Sequence, residues 1–291
     1  MAGVGDYDPT LTDLCERMLV TVIGNAGFWG QRLYLVGGLV PRYLCGPTPA
    51  EAPAHVGSRD VDLAVVLMVD DPTSKSYETL WRNLTDAGFV QAPLEDDPDF
   101  RWRKEADGLS LILEFICETD EVLPGRNFKP KSGSGSRFQA FNVRGAHLVS
   151  LDRKVVKIKA ERLDDGGVAV AEVQVAGLPP FLVLKILAFV DRHHDKDAYD
   201  IVWTLANYPG GAQGAGRAMA ASPVSDDPLC LEALTLLRGR FAEIANDAPA
   251  SYSSFLGVAG NLESIARLRL EAVETVRVAL EAFDRARESA R

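Results

Sequence analysis

Ser58-Arg59-Asp60-Val61-Asp62-Leu63-Ala64-Val65-Val66-Leu67 is the stretch that decides the fold. Its apolar block lacks alternation, which predicts a central strand over Asp60 to Val69, covered on both faces. The two aspartates that open it are two residues apart. On a strand they share a face, roughly 7 Å apart along the backbone. Upstream, Leu33 to Val36 is a short apolar run that stops at Gly37-Gly38, a strand running into a tight turn. Glycine there lets backbone N–H groups approach a phosphate with no Cβ in the way. Downstream, Leu109 to Cys117 reads as a strand with one charged residue, Glu114, in its apolar interior. A carboxylate in that setting is costly unless a cation or partner compensates it. Asp60, Asp62 and Glu114 are thus the residue types that hold divalent ions between shared carboxylates. Glu118 and Asp120, at the strand's end, are further candidates. Each signal also has a plain reading: a solvated Asp-x-Asp, a simple turn, an edge strand. Their order and context together favour the site.

Outward from this centre, Thr10 to Gly24 has helical spacing, with Thr10 and Asp13 placed as a capping box. Leu39 to Cys45 is a short helix and Gly46 to Gly57 a Pro-, Gly- and Ala-rich loop. Tyr77 to Ala87 is a helix stopped by Gly88. Phe100 to Lys104 and Leu109 to Cys117 are strands joined by a turn at Asp107-Gly108. Arg126 to Arg137 includes a flexible Lys-Ser-Gly-Ser-Gly-Ser run. Phe138 to Asn142, Ala146 to Ser150, Val155 to Ile158 and Val168 to Val175 complete a β-rich middle. At Leu178-Pro179-Pro180 the character turns helical: Phe181 to Asp191, Ala198 to Ala206, Leu229 to Asn246 and Asn261 to Ser289, with a loop from Pro209 to Pro228. The expected division is an α/β part over 1–177 and a helical part over 178–291.

Of the 291 residues, 47% are apolar and 25% charged, as in an ordinary folded protein. No apolar run reaches the ~20 residues that span a bilayer, and the acidic start is unlike a signal peptide, so the expected location is cytoplasmic. Cys15, Cys45, Cys117 and Cys230 are scattered beside apolar residues and read as buried thiols; no CxxC suggests zinc. His193-His194 reads as a loop-exposed pair. The net charge of −10 gives no global nucleic-acid footprint. Even so, Arg126, Lys129, Lys131, Arg137, Arg153, Lys154, Lys157, Lys159 and Arg162 concentrate positive charge, either as solvated faces or as a local polyanion surface.

A second cluster lies in the helical part. Lys185 interrupts the apolar helix Phe181 to Val190, and the next helix opens Arg192-His193-His194-Asp195-Lys196-Asp197-Ala198-Tyr199-Asp200. Lys185 is either a lysine with its stem along the core or a phosphate ligand. Asp197 suits a helix N-terminus. Asp200, a turn further in, suits orienting a lysine or a nucleophile.

Val36-Gly37-Gly38, Ser58-Arg59-Asp60-Val61-Asp62-Leu63, Lys185-Ile186-Leu187-Ala188 and Lys196-Asp197-Ala198-Tyr199-Asp200 together resemble the AbiEii-type nucleotidyltransferases, a branch of the polymerase-β-like superfamily that includes toxins of toxin–antitoxin systems. The resemblance spans roughly residues 33 to 205. It implies an α+β fold: a polymerase-β-like mixed sheet with flanking helices, plus a C-terminal helical bundle. It implies Mg²⁺ on Asp60 and Asp62, with Glu114 as third carboxylate, and nucleotide contacts from Gly37, Gly38, Ser58, Lys185 and Lys196. Asp200 would complete the site. The implied reaction moves an NMP from an NTP to an acceptor hydroxyl and releases pyrophosphate. In toxin members the acceptor is often a tRNA 3′ end, which would make Arg126 to Arg162 an RNA path and imply a cognate antitoxin. Many superfamily members carry Gly-Ser where this chain has Gly37-Gly38, and the gap from Gly38 to Asp60 is long. Two alternatives stand beside this reading: a small-molecule nucleotidyltransferase acting on an aminoglycoside-like acceptor, and a non-catalytic binding protein on the same fold.

Overall fold

The computed structural model describes residues 3–6, 9–46, 54–58, 60–65, 75–92, 94, 98–130, 137–257 and 261–289. Arg59, the expected continuation of the central strand to Val69 and the Lys-Ser-Gly-Ser-Gly-Ser run lie outside them. In chain order the elements are α1 (Pro9–Asn25), β1 (Leu33–Val36), α2 (Val40–Cys45), β2 (Asp60–Val65), α3 (Lys75–Asp86), β3 (Val90–Gln91), β4 (Arg101–Ala106), β5 (Leu109–Cys117), β6 (Asn127–Phe128), β7 (Ala140–Asn142), α4 (Leu148–Leu151), β8 (Arg153–Glu161) and β9 (Val168–Ala176). Helices follow: α5 (Leu178–Arg192), α6 (Asp195–Asn207), α7 (Gly211–Ala220), α8 (Pro228–Arg240), α9 (Asp247–Phe255) and α10 (Leu262–Ser289). The protein is α+β. No helix among the described residues is long and apolar enough to cross a membrane.

The chain divides into two compact units. The sheet unit comprises Pro9–Leu39 and Gly57–Ala176; the helical unit comprises Met1–Asp8, Val40–Val56 and Gly177–Arg291. The helical unit therefore also takes in a segment from the middle of the N-terminal part.

The mixed sheet runs β3-β4-β5-β2-β1-β9-β8, with β7 on β5 and β6 on β7. β2 is central: antiparallel to β1, parallel to β5. Val61 and Leu63 of β2 and Leu111, Leu113, Phe115 and Cys117 of β5 form one buried face. Helix α1 packs across β8, β9, β2 and β5. Its Cys15, Met18, Leu19 and Val22 are fully buried, each large apolar side chain contributing about 1.5–3 kcal/mol of burial. Trp29, Tyr77 and Phe138 extend this core by ring contacts at 4.7 and 5.6 Å. The other face carries Asp60, Asp62 and Glu114, all half-buried.

Three expectations are corrected. Ala146 to Ser150 is not a strand but leads into the helical turn α4, closed by the Ser150 amide donating to the His147 carbonyl at 3.1 Å and the Asp152 amide to the Leu148 carbonyl at 3.0 Å. Pro209 to Pro228 is not one loop, since it holds α7. The glycines that read as breakers serve close packing there. A Cβ on Gly216 would lie 2.2 Å from the Ala279 carbonyl of α10, and one on Gly214 would lie 2.0 Å from the Pro209 carbonyl. The helix expected over Leu229 to Asn246 ends at Arg240, and the Asn246 side chain turns back to donate to the Gly239 carbonyl at 2.8 Å. Asn246 then precedes α9, whose Pro249 sits in the first turn. That proline in an N-terminal turn was a helix signal within the sequence.

Candidate active site

The carboxylate face of the sheet unit is positioned by close approaches. Gly57 has φ +81°, and a Cβ on it would lie 1.8 Å from Oγ1 of Thr12 in α1. The chain entering β2 is thereby pressed onto α1. The next carbonyl, of Ser58, accepts from the Cys15 thiol at 3.7 Å. The Ser58 hydroxyl donates to Oδ1 of Asp60 at 2.6 Å, the short geometry of a bond to a carboxylate. Burial, with the charges of Asp60 and Asp62 adding to it, pushes the Cys15 thiol up to about 12.

Asp62 is fixed from the other side. Val36 is its partner across the β1–β2 ladder, so the chain leaving β1 turns directly over it. Gly37 has φ +73°, and a Cβ there would lie 1.9 Å from Oδ2 of Asp62. Only glycine fits both the backbone conformation and the space. Gly38 is buried in the same short helical turn.

Glu114 stands beside Asp62 in register on the parallel strand β5, with Ile112 beside Asp60. Adjacent strands lie about 4.8 Å apart. Asp60, Asp62 and Glu114 therefore share one patch of one face. Glu114 is not open, however. Arg101 faces it across the β4–β5 ladder and donates from Nε and Nη2 to Oε1 at 2.8 and 2.6 Å. Among the described residues no three His, Cys, Asp or Glu side chains converge closely enough to hold a metal ion. Asp60 and Asp62 alone suit Mg²⁺, which takes one or two carboxylates and completes its shell with water and substrate phosphates.

The helical unit holds the second cluster. The Lys185 ammonium is buried between Oδ1 of Asp197 at 3.0 Å and Oδ2 of Asp200 at 2.6 Å. Lys196 bonds both Asp200 oxygens at 2.9 Å. Arg192 grips Asp197 at 2.9 and 3.0 Å. His55 Nε2 meets Oδ1 of Asp200 at 3.0 Å, with its ring against Tyr199 and Trp203. Burial pushes the Asp200 carboxyl up, but Lys185, Lys196 and His55 outweigh it and hold the group far below the usual range. Burial likewise opposes Lys185, and Asp200 and Asp197 overcome it and raise its pKa. His55 is lowered by burial against the pull of Asp200. Lys185 is thus an internal ion-pair partner, with its charge shared between two carboxylates of its own unit.

Among the described residues, several cations of 126–162 have partners of their own. Arg162 pairs with Asp164 and Asp165, Arg137 lies 4.9 Å over the Trp81 ring, and Lys157 meets Glu172 at 3.5 Å. Arg126 and Lys129 are exposed. His193 and His194 are exposed at the junction of α5 and α6, His193 taking the left-handed cap conformation at φ +51°.

Two residues of these clusters escaped sequence reasoning. Arg101 was legible: the two-residue turn at Asp107-Gly108 fixes Ala106 opposite Leu109, and counting outward puts Arg101 opposite Glu114. His55 had no local signal; it reaches Asp200 across 145 residues of chain.

No family model matches this chain. Among curated proteins, atrochrysone carboxylic acid synthase PKS4 of Calonarius odorifer is 24% identical over 169 residues, which is 56% of this chain and 10% of that protein. The chain spans about a tenth of the length of that curated relative.

Proposed function

We propose that the protein is a metal-dependent nucleotidyltransferase of the polymerase-β-like type, with Asp60 and Asp62 as its metal ligands. The observation that carries this reading is the fit of Gly37 against Asp62, where any side chain would displace the carboxylate. The Gly37-Gly38 turn lies against Asp62, which shares a strand face with Asp60, and a glycine turn can offer N–H groups to a phosphate. That is the equipment for holding a triphosphate and its cation together. Ser58 orients Asp60, and Glu114 with Arg101 closes one flank of the patch. Mg²⁺, when bound, would neutralise the triphosphate and favour attack by an acceptor hydroxyl with release of pyrophosphate. The resemblance to AbiEii-type proteins extends the proposal to a toxin acting on tRNA 3′ ends, held in check by an antitoxin. Arg126 and Lys129 are among the exposed cations that such an acceptor would meet. Lys185 and Asp200 support the helical unit's interior in this account, because their charges are already paired there.

A second reading, a small cationic acceptor, draws on the net charge of −10. It is weighed against by Arg101 and Arg103, which stand on the carboxylate-bearing face. Pyrophosphate release with Mg²⁺ and each NTP, measured with tRNA, with an aminoglycoside and with neither, separates the two. Release that needs tRNA and disappears in Asp62→Asn supports the first. Release that needs the aminoglycoside supports the second. Equal signals from wild type and Asp62→Asn refute both.

A further inference from the structure

Strand β8 closes one end of the sheet and pairs, among the described residues, with β9 alone. The Arg162 amide donates to the Gly167 carbonyl at 2.9 Å in the connecting turn. In an antiparallel ladder the hydrogen-bonded pairs alternate, so this bond sets the phase. With Val155 opposite Gln174, Lys157 opposite Glu172 and Lys159 opposite Val170, these three residues fall at positions whose N–H and C=O point away from β9. Glu161 belongs to the same set, and its carbonyl indeed points outward, accepting from Arg17 Nε at 3.4 Å. The edge is long: nine residues, about 30 Å.

The side chains of the same residues line one sheet face. Val155 is 57% exposed, and Val168 and Val170 of β9 are 67% and 60% exposed. Lys157 and Lys159 stand among them, with Lys157 only loosely paired to Glu172 at 3.5 Å. Lysines on an edge ordinarily deter pairing. Three outward valines beside them do the opposite, since a blunted edge has no use for exposed β-branched surface. Together they make the edge selective rather than closed.

We propose that β8 docks an extended acidic–apolar segment of a partner protein, which adds to the sheet as a further strand. Residues directly opposite across a ladder share a face, so the segment carries acidic residues against Lys157 and Lys159 and a β-branched one against Val155. A second copy of this chain fits poorly: two-fold pairing centred on Lys157 sets Lys157 against Lys157 and Val155 against Lys159, and pairing centred on Lys159 sets Lys159 against Lys159 and offers Lys157 only Glu161, whose carboxylate Arg17 already holds at 2.9 Å. Single-stranded nucleic acid is disfavoured because neither β8 nor β9 holds an aromatic ring for a base to stack on. This surface is independent of the nucleotidyl-transfer reading.

The test uses the full chain and a fluorescein-labelled, end-blocked peptide in which Thr alternates with Glu, Glu and Val, followed by anisotropy. A control peptide has Lys in place of Glu. The variants are Lys157→Glu/Lys159→Glu and Val155→Pro; the second removes an outward N–H and leaves the β9 ladder intact. Unchanged circular dichroism and melting confirm that each folds. The proposal expects saturable binding of the acidic peptide and little of the control. The charge-reversed variant should weaken the acidic peptide at least about tenfold and favour the lysine one, and Val155→Pro should also lose binding. No saturable binding overturns the proposal. So does binding indifferent to Val155→Pro, which would be charge attraction alone, or displacement of the peptide by oligouridylate with tighter affinity.

Discussion

Gly37→Ala probes the geometry around Asp62 with two separable costs. The backbone at φ +73° disfavours an L side chain by about 1–2 kcal/mol. The new Cβ would also lie 1.9 Å from Oδ2 of Asp62, where real contacts do not fall below 3.0 Å, so the carboxylate must move by more than an ångström. Forcing it off its rotamer adds about 0.5–1.5 kcal/mol. The single variant should therefore lose about 2–3 kcal/mol. In an Asp62→Ala background the same change should cost only the backbone part, leaving a coupling of about 1 kcal/mol. Urea unfolding followed by tryptophan fluorescence is the assay. Trp29, Trp81 and Trp102, three of the four tryptophans, lie in the sheet unit. A Gly37→Ala cost below about 0.5 kcal/mol, or one equal in both backgrounds, would refute the argument.

Other consequences follow from the buried charges and thiols. Lys185→Met leaves Asp197 and Asp200 buried with one cation fewer, and should cost about 3–5 kcal/mol of stability; thermal melting checks it. The pKa of His55 is lower in the folded chain than the ordinary 6.5, so its contribution is fully present above pH 6.5 and is lost as pH falls below it toward the folded value. His55→Gln should flatten the melting profile across that window. Asp197 and Asp200 are also lowered, and their contribution is lost further down, as pH falls below the ordinary carboxylate range. Burial raises the Cys15, Cys45 and Cys117 thiols to about 12. A thiol reagent such as dithionitrobenzoate at pH 8 should label Cys15 and Cys117, both fully buried, only after denaturant is added; rapid labelling of either in the native chain would contradict the burial.

The sheet unit was legible because its signals are local. An uninterrupted apolar run marked β2, a run broken by Glu114 marked β5, Gly37-Gly38 marked the end of β1, and the Asp107-Gly108 turn set a countable register. The co-facial placement of Asp60 and Asp62 needed only strand periodicity. What the sequence hid is non-local. Glycines at Gly214 and Gly216 signal a loop until the facing carbonyls are known. Lys185 looks free for a ligand until Asp197 and Asp200 are seen to enclose it. His55, in a Pro- and Ala-rich stretch, reaches its partner only through the tertiary fold.

The most direct measurement is transfer of label from an α-phosphate-labelled NTP, tried for each base in turn, to total bacterial tRNA in the presence of Mg²⁺. Wild type and Asp60→Asn/Asp62→Asn should be compared at matched stability. The account predicts labelled RNA from the wild type alone, with one base preferred. Labelling that survives in the double variant would contradict the assignment of Asp60 and Asp62, and no labelling of RNA or of a small-molecule acceptor by the wild type would contradict the proposed activity.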